Sequence, residues 1–176
     1  MATSPKRKDY LKDYKQGASG KYEYGGISYT FDGTPEERKK TYITLTGIAV
    51  LLTASVIGSG LIDAAGMGNT FYVIVPYIGE VCALFAIWWY LSKLLMEGEK
   101  IRGYIFESVN SKMDPATLIL VFFAILGLVM SVVFQLTNGF EGKMFKCFLY
   151  LFTKALNAIL AFLMKKYYNT LKWKVL

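Results

Sequence analysis

The sequence contains no histidine and only two cysteines, and these absences count against several kinds of site. Without histidine, the usual zinc, haem and histidine-based catalytic arrangements lack their main ligand or base. Cys82 and Cys147 lie outside any CxxC motif, and each stands among apolar residues. We expect both to be buried packing residues. The sequence therefore predicts no metal site, no cofactor and no enzymatic activity.

Charged residues are scarce over long stretches, because they are confined to a few segments between apolar runs. Hydrophobic residues make up 54% of the 176 positions, more than in an ordinary soluble domain. A helix needs about 20 apolar residues to cross a hydrocarbon core of about 30 Å. Four runs are long enough, at about residues 42–65, 70–96, 116–136 and 144–164. They lack the alternation of barrel strands, so we predict an all-α integral membrane protein whose four-helix bundle covers residues 41–168.

The basic residues predict how this bundle is oriented. They precede the first run, lie between the second and third, and follow the fourth: Lys6, Arg7, Lys8, Lys12, Lys15, Lys21, Arg38, Lys39, Lys40, Lys93, Lys100, Arg102, Lys112, Lys165, Lys166, Lys172 and Lys174. The other two connections hold only Lys143 and Lys146. By the positive-inside rule, we expect both termini in the cytoplasm. This placement explains the net charge of +7 without a nucleic-acid partner.

The expected location is the plasma membrane of a bacterium or an endomembrane of a eukaryote. The polar first residues predict no cleavable signal peptide, so we expect the first spanning helix to direct insertion.

Residues 1–40 form a basic, tyrosine-rich segment that we expect to lie in the cytoplasm. Aromatic residues alternate around two glycines, which predicts a short β-hairpin: Tyr22, Tyr24, Gly25, Gly26, Tyr29 and Phe31. Thr34, Pro35 and Glu37 then have the spacing of a capped helix start, so the first helix is expected to begin before the membrane. Two interpretations remain open. The segment is a flexible arm on anionic lipid, or it docks a cytoplasmic partner.

Two further segments lie outside the apolar runs. In residues 97–114, apolar residues at helical spacing predict a short interfacial helix, after which Asp114 and Pro115 would cap the third spanning helix. Residues 169–176 are expected to form a short basic tail.

Few polar side chains interrupt the apolar runs, and each needs a reason because burying a charge in hydrocarbon is costly. These candidates are Asp63, Glu80, Lys154 and Asn157. Glu80 and Lys154 each lie ten residues from the start of their runs, about 15 Å deep at 1.5 Å per residue. Equal depth and opposite charge predict an ion pair, and Pro76, four residues before Glu80, predicts a helix kink.

Three hypotheses remain open for Glu80. The carboxylate is paired with Lys154 and fixes the packing, or the pair exchanges a proton or cation with a substrate. In the third, Glu80 is protonated or meets another subunit. Asp63, near the outer interface, joins the pair or contacts water.

Small residues at four-residue spacing predict close helix packing, within the bundle or between subunits. In the first helix these are Ala54 with Gly58 and Ser55 with Ser59, and in the third they are Gly127 with Ser131.

We therefore expect a non-catalytic structural or interaction subunit that associates with itself or with a larger membrane complex. The alternative is a small oligomeric transporter or channel that uses Glu80 and Lys154. The expected partners are the bilayer, anionic lipid at the cytoplasmic face, and another copy or a different membrane protein.

Overall fold

Four long helices make up most of the computed structural model, which describes residues 13–16, 21–64 and 67–176. The helices are α1 (Pro35–Leu61), α2 (Phe71–Glu97), α3 (Gly103–Asn138) and α4 (Met144–Asn169). Each is long and apolar enough to cross a membrane, as the four apolar runs predict.

The helices form a ring in which each packs against two others. α2 lies between α1 and α3, and α4 packs on both α3 and α1. α2 and α4 therefore face each other across the centre of the bundle. Buried leucine, isoleucine and methionine side chains fill that centre along most of its length, while large apolar side chains such as Phe85, Phe122 and Phe152 cover the outside. This distribution suits a surface that contacts lipid.

The start of α1 follows the predicted cap. The Thr34 side chain accepts a hydrogen bond from the Glu37 amide, and the Glu37 carboxylate accepts one from the Thr34 amide at 2.8 Å. Pro35 occupies the first turn of the helix, where a backbone N–H would have no acceptor within the helix, so the missing N–H of proline costs no hydrogen bond. The predicted capped start of the first helix, at Thr34 and Pro35, is confirmed. The helix ends at Leu61 because Ile62 adopts an extended backbone.

The prediction of a separate interfacial helix before α3 is wrong, and so is the cap at Asp114. α3 runs without interruption from Gly103 to Asn138 and includes Pro115. Val109 and Met113 are buried on the same helical face as Ala116 and Leu120. This stripe continues past the proline, so packing holds the segment helical where the local sequence favours a boundary.

The described residues include five short strands, which lie near the chain termini and the connection between α2 and α3. They are β1 (Tyr14–Gln16), β2 (Tyr22–Tyr24), β3 (Ser28–Phe31), β4 (Ile101–Arg102) and β5 (Trp173–Val175). β1 pairs with β2, and β3 lies between β4 and β5, with all pairs antiparallel. We call this end of the bundle the sheet end. The opposite end, which carries residues 62–64, 67–70 and 139–143, is the loop end.

The predicted hairpin around Gly25 and Gly26 differs from the observed pairing. Strands flank the two glycines, but they belong to different sheets. β3 has better partners, because the Tyr29 ring stacks on Phe106 of α3 at 4.0 Å and the Phe31 ring contacts Trp173 of β5. Residues 169–176, expected as a tail, instead complete α4 and form β5. Residues 1–12 and 17–20 of the predicted basic segment lie outside the described part of the chain.

Candidate functional site

A carboxylate, an ammonium group and an amide meet at the centre of the bundle. Lys154 of α4 donates a hydrogen bond from Nζ to Oε1 of Glu80 on α2 at 2.9 Å. Asn157, one helical turn further along α4, donates from Nδ2 to Oε2 of Glu80 at 3.1 Å. Both carboxylate oxygens therefore have a partner. The structure brings together three of the four polar residues that the sequence singled out.

This cluster is closed to water on every side. The Glu80 side chain is 0% exposed and that of Lys154 is 1% exposed. The rings of Tyr77 and Tyr150 surround the ammonium group, with their centroids 4.9 and 5.7 Å from Nζ. Aromatic faces stabilise a desolvated cation, so they take the place of water around Lys154. Within the described residues, Oδ1 of Asn157 is buried without a hydrogen-bond partner.

Gly127 of α3 leaves the space that the ion pair occupies. A Cβ at this position would stand 2.9 Å from Oε1 of Glu80 and 3.7 Å from Nζ of Lys154. Next to it, Ser131 is fully buried and donates to the Gly127 carbonyl at 2.6 Å. Of the two small residues predicted to pack helices, Gly127 thus lies beside the pair and Ser131 lies one turn further along α3. The lack of a side chain at Gly127 allows a contact between helices that are diagonal in the bundle.

α4 presents its polar residues to this centre and its large apolar residues to the outside. Cys147, Tyr150, Lys154, Asn157 and Ala161 are buried. Phe148, Phe152, Ile159 and Phe162 are exposed on the opposite side. This division follows from steps of three and four residues, which place these positions on one side of a helix.

α2 continues through Pro76, its sixth residue, and Pro76 is buried near Gly127. The kink predicted there stays a prediction.

Asp63 lies apart from the central pair. Its Oδ2 accepts a hydrogen bond from Nζ of Lys143 at 2.6 Å at the loop end, where the side chains are 64% and 41% exposed. The bond with Lys143 lowers the pKa of the Asp63 carboxyl and raises that of the Lys143 amine. Asp63 was expected either to join the central pair or to contact water, and this exposed position matches contact with water.

The small residues of α1 divide between two surfaces. Ser59 is buried, and Ser55 donates to the Thr153 carbonyl of α4 at 3.5 Å. Ala54 is exposed, and a Cβ at Gly58 would meet no atom within 4 Å. The Ser55 and Ser59 pair therefore packs inside the bundle, while the Ala54 and Gly58 pair faces outward.

The two cysteines also lie on different surfaces, one inside the bundle and one outside. Cys147 is buried, but Cys82 is exposed on the outside of α2. The expectation of a buried packing role is wrong for Cys82, because it stands next to the buried face of the helix and not on it.

A second polar cluster, at the sheet end, was not predicted. The Arg102 guanidinium binds both carboxylate oxygens of Glu97 and donates from Nη1 to the Tyr14 hydroxyl at 3.0 Å. Tyr24 accepts from the Gly103 amide at 3.2 Å and donates to the Ile27 carbonyl at 3.1 Å. These bonds attach β1 and β2 to the connection between α2 and α3.

The Glu97 carboxylate raises the pKa of Arg102, and hydrogen bonds from Tyr104 and then Arg102 lower the pKa of Tyr14. No sequence signal could have joined the two sides of this cluster, because Tyr14 and Tyr24 lie 88 and 79 residues before their partners Arg102 and Gly103.

Comparisons with protein-family models, with curated proteins and with solved structures find no significant match to this chain.

The geometry of the central site limits its chemistry. The charges of Glu80 and Lys154 cancel, and both carboxylate oxygens of Glu80 accept a hydrogen bond. Neither charged group contacts water. A buried pair of this kind resists separation, because removing either partner leaves an uncompensated charge in a medium of low dielectric constant. The arrangement is suited to fixing α2 against α4.

Proposed function

We propose that this protein is a non-catalytic structural or interaction subunit of a membrane assembly, made of its own copies or of a larger complex. The observation that supports it best is the dry, mutually satisfied contact between Glu80 and Lys154. A transporter that works through this pair would need water or substrate to reach the carboxylate. Burial of both groups favours a role in holding the bundle rigid.

The outer surface of α1 supports the assembly part of the proposal. Ala54 and Gly58 form a small-xxx-small pair that faces away from the bundle, and the space next to Gly58 is open. In membranes, association depends on close approach of helices rather than on the hydrophobic effect, so small residues on an outer face suit an interface.

The orientation that we propose places both termini and the sheet end in the cytoplasm. It rests on the distribution of lysine and arginine, which is denser at the sheet end than in the two connections of the loop end.

The test is the native mass of the chain in mild detergent, with identification of the proteins that copurify. We expect a species larger than the 19.8 kDa chain, containing further copies or one reproducible membrane partner. Gly58→Leu should reduce that species, and Leu61→Ala, an exposed change on the same helix, should not. A monomer without partners that shows ion or solute flux dependent on Glu80 would support the transporter instead.

A further inference from the structure

An open groove of about 940 Å³ runs along the outside of the bundle between α1 and α2, near the sheet end. Ile43, Val50 and Leu51 of α1 and Leu95 of α2 line it. A Cβ at Gly47, in the same groove, would meet no atom within 4 Å. The groove therefore offers an elongated apolar surface in a part of the molecule where lipid chains would lie.

The mouth of the groove is basic. Arg38 and Lys39 line it, and no acidic side chain does among the described residues that form its walls. Arg38 donates from Nη2 to Glu99 at 2.6 Å, which leaves its Nε and Nη1 donors without a partner in the described chain. Lys39 is exposed and makes no ion pair with any described carboxylate. Tyr42, one turn further in, lines the groove, and its hydroxyl is buried.

The spacing of these groups along α1 matches the profile of one leaflet. From Tyr42 to Leu51 the apolar wall is about 14 Å long at 1.5 Å per residue, close to half of a hydrocarbon core of about 30 Å. Arg38 and Lys39 stand one turn beyond its end, at the level of lipid headgroups. Positive charge thus lies where a phosphate would be.

A smaller cleft of about 240 Å³ adjoins this mouth, and the two share Pro35 and Arg38. Thr30, Thr34 and Lys100 line it together with Glu99. It provides polar space for a headgroup beyond the phosphate. Together, the groove and the cleft form one amphiphilic surface, in which the groove is the apolar half and the cleft is the polar half.

We propose that this groove binds one anionic glycerophospholipid, with an acyl chain between α1 and α2 and its phosphate on Arg38 and Lys39. The site does not depend on the structural role proposed above, since a transporter or a scaffold could carry it equally.

The test is native mass spectrometry of the full chain in mild detergent, titrated with phosphatidylglycerol or with phosphatidylcholine of the same chain length. We expect one phosphatidylglycerol to bind per chain in a saturable way, and phosphatidylcholine to bind much more weakly. The double variant Arg38→Gln with Lys39→Gln should weaken phosphatidylglycerol binding about 25-fold, at roughly fivefold for each charge removed. Gly47→Leu should abolish it by filling the groove.

Two matched controls accompany these variants. Lys166→Gln with Lys172→Gln removes the same charge near the same end of the bundle, and neither residue lines the groove or the cleft. Gly58→Leu adds the same side chain to an open position of α1 three turns deeper. Both should keep the bound lipid, and melting temperatures should show that all variants fold.

Equal binding of the two lipids would overturn the proposal in favour of ordinary bulk lipid. Binding that does not saturate and that no variant changes would do the same. A loss of dimer mass on Gly47→Leu, with lipid binding unaltered, would overturn it in favour of a second copy as the occupant. Because lipid is counted per chain, either result can be separated from failure of the assembly proposal, which concerns protein mass alone.

Discussion

Two of the carboxylate–ammonium pairs that connect helices or their ends differ mainly in exposure. Glu80 and Lys154 meet at 2.9 Å with no access to water, while Asp63 and Lys143 meet at 2.6 Å on an exposed surface. The shorter distance belongs to the exposed pair. Distance alone therefore says little about what a pair contributes. In water, both partners keep most of their solvation when separated, whereas in the bundle centre neither has an alternative.

The largest difference between the two pairs should appear when one ammonium group is removed. Lys154→Met leaves the Glu80 carboxylate without its main partner, and we expect a loss of about 3–5 kcal/mol in the free energy of unfolding. Lys143→Met is the matched change in the exposed pair. It should alter the free energy of unfolding by no more than the error of that measurement. Reversible unfolding in mixed micelles, followed by circular dichroism, measures both. Equal losses would show that burial is not what distinguishes the pairs.

The space around the central pair can be tested without removing a charge. Gly127→Ala would place a Cβ 2.9 Å from Oε1 of Glu80, which two hydrogen bonds hold in place. We expect a loss of about 1–3 kcal/mol from this overpacking. Gly58→Ala, in open space, should leave stability unchanged or raise it slightly. The same unfolding assay compares them, and a neutral Gly127→Ala would mean that the pair can shift freely.

The cluster at the sheet end lies between these extremes, because Arg102 is partly exposed while Glu97 is nearly buried. Arg102→Met removes its bonds to Glu97 and Tyr14. We expect amide exchange in β1 and β2 to become roughly tenfold faster, for a loss of about 1.5 kcal/mol. Lys174→Met removes an exposed pair with Asp32 at 3.9 Å and should not change amide exchange in β1 and β2. Hydrogen exchange followed by mass spectrometry gives both rates, and unchanged exchange after Arg102→Met would show that the strands are held by other contacts.

The smallest effect should be the pH dependence of the exposed pair. The lowered pKa of Asp63 means that its folded-state contribution is complete above its ordinary value of 3.8 and is lost as the pH falls through the lowered value. The raised pKa of Lys143 means that its contribution is complete below its ordinary value of 10.5 and is lost as the pH rises through the raised value. Between these limits the difference between wild type and Asp63→Asn should be flat. A slope in that difference near neutral pH would contradict this assignment.

The sequence predicts the helices and the central pair for physical reasons. A continuous apolar run long enough to span hydrocarbon has few structures open to it, so the four helices follow from length and composition. The proximity of Glu80 and Lys154 follows from equal depth, since helices of fixed rise place equally spaced residues at one level. Periodicity gives the faces of α4, but it does not say that α2 and α4 are diagonal neighbours.

The sheet end could not be predicted in the same way. β4 has only two residues, and its partner β3 lies about seventy residues earlier in the chain. Such pairs carry no local signal, and the two glycines after Tyr24 suggest a hairpin that long-range packing overrides. The continuation of α3 through Pro115 is similar, because buried contacts of Val109 and Met113 outweigh the local preference for a boundary.

The central claim is that Glu80 and Lys154 serve each other structurally, and a double-mutant cycle tests it most directly. Glu80→Gln, Lys154→Met and the double variant are compared with wild type in the unfolding assay and in the native-mass assay. We predict that each single change is destabilising, and that the double variant recovers most of the loss and keeps the wild-type assembly. Additive losses, or a double variant that is stable but has lost a measurable flux, would contradict a structural role for the pair.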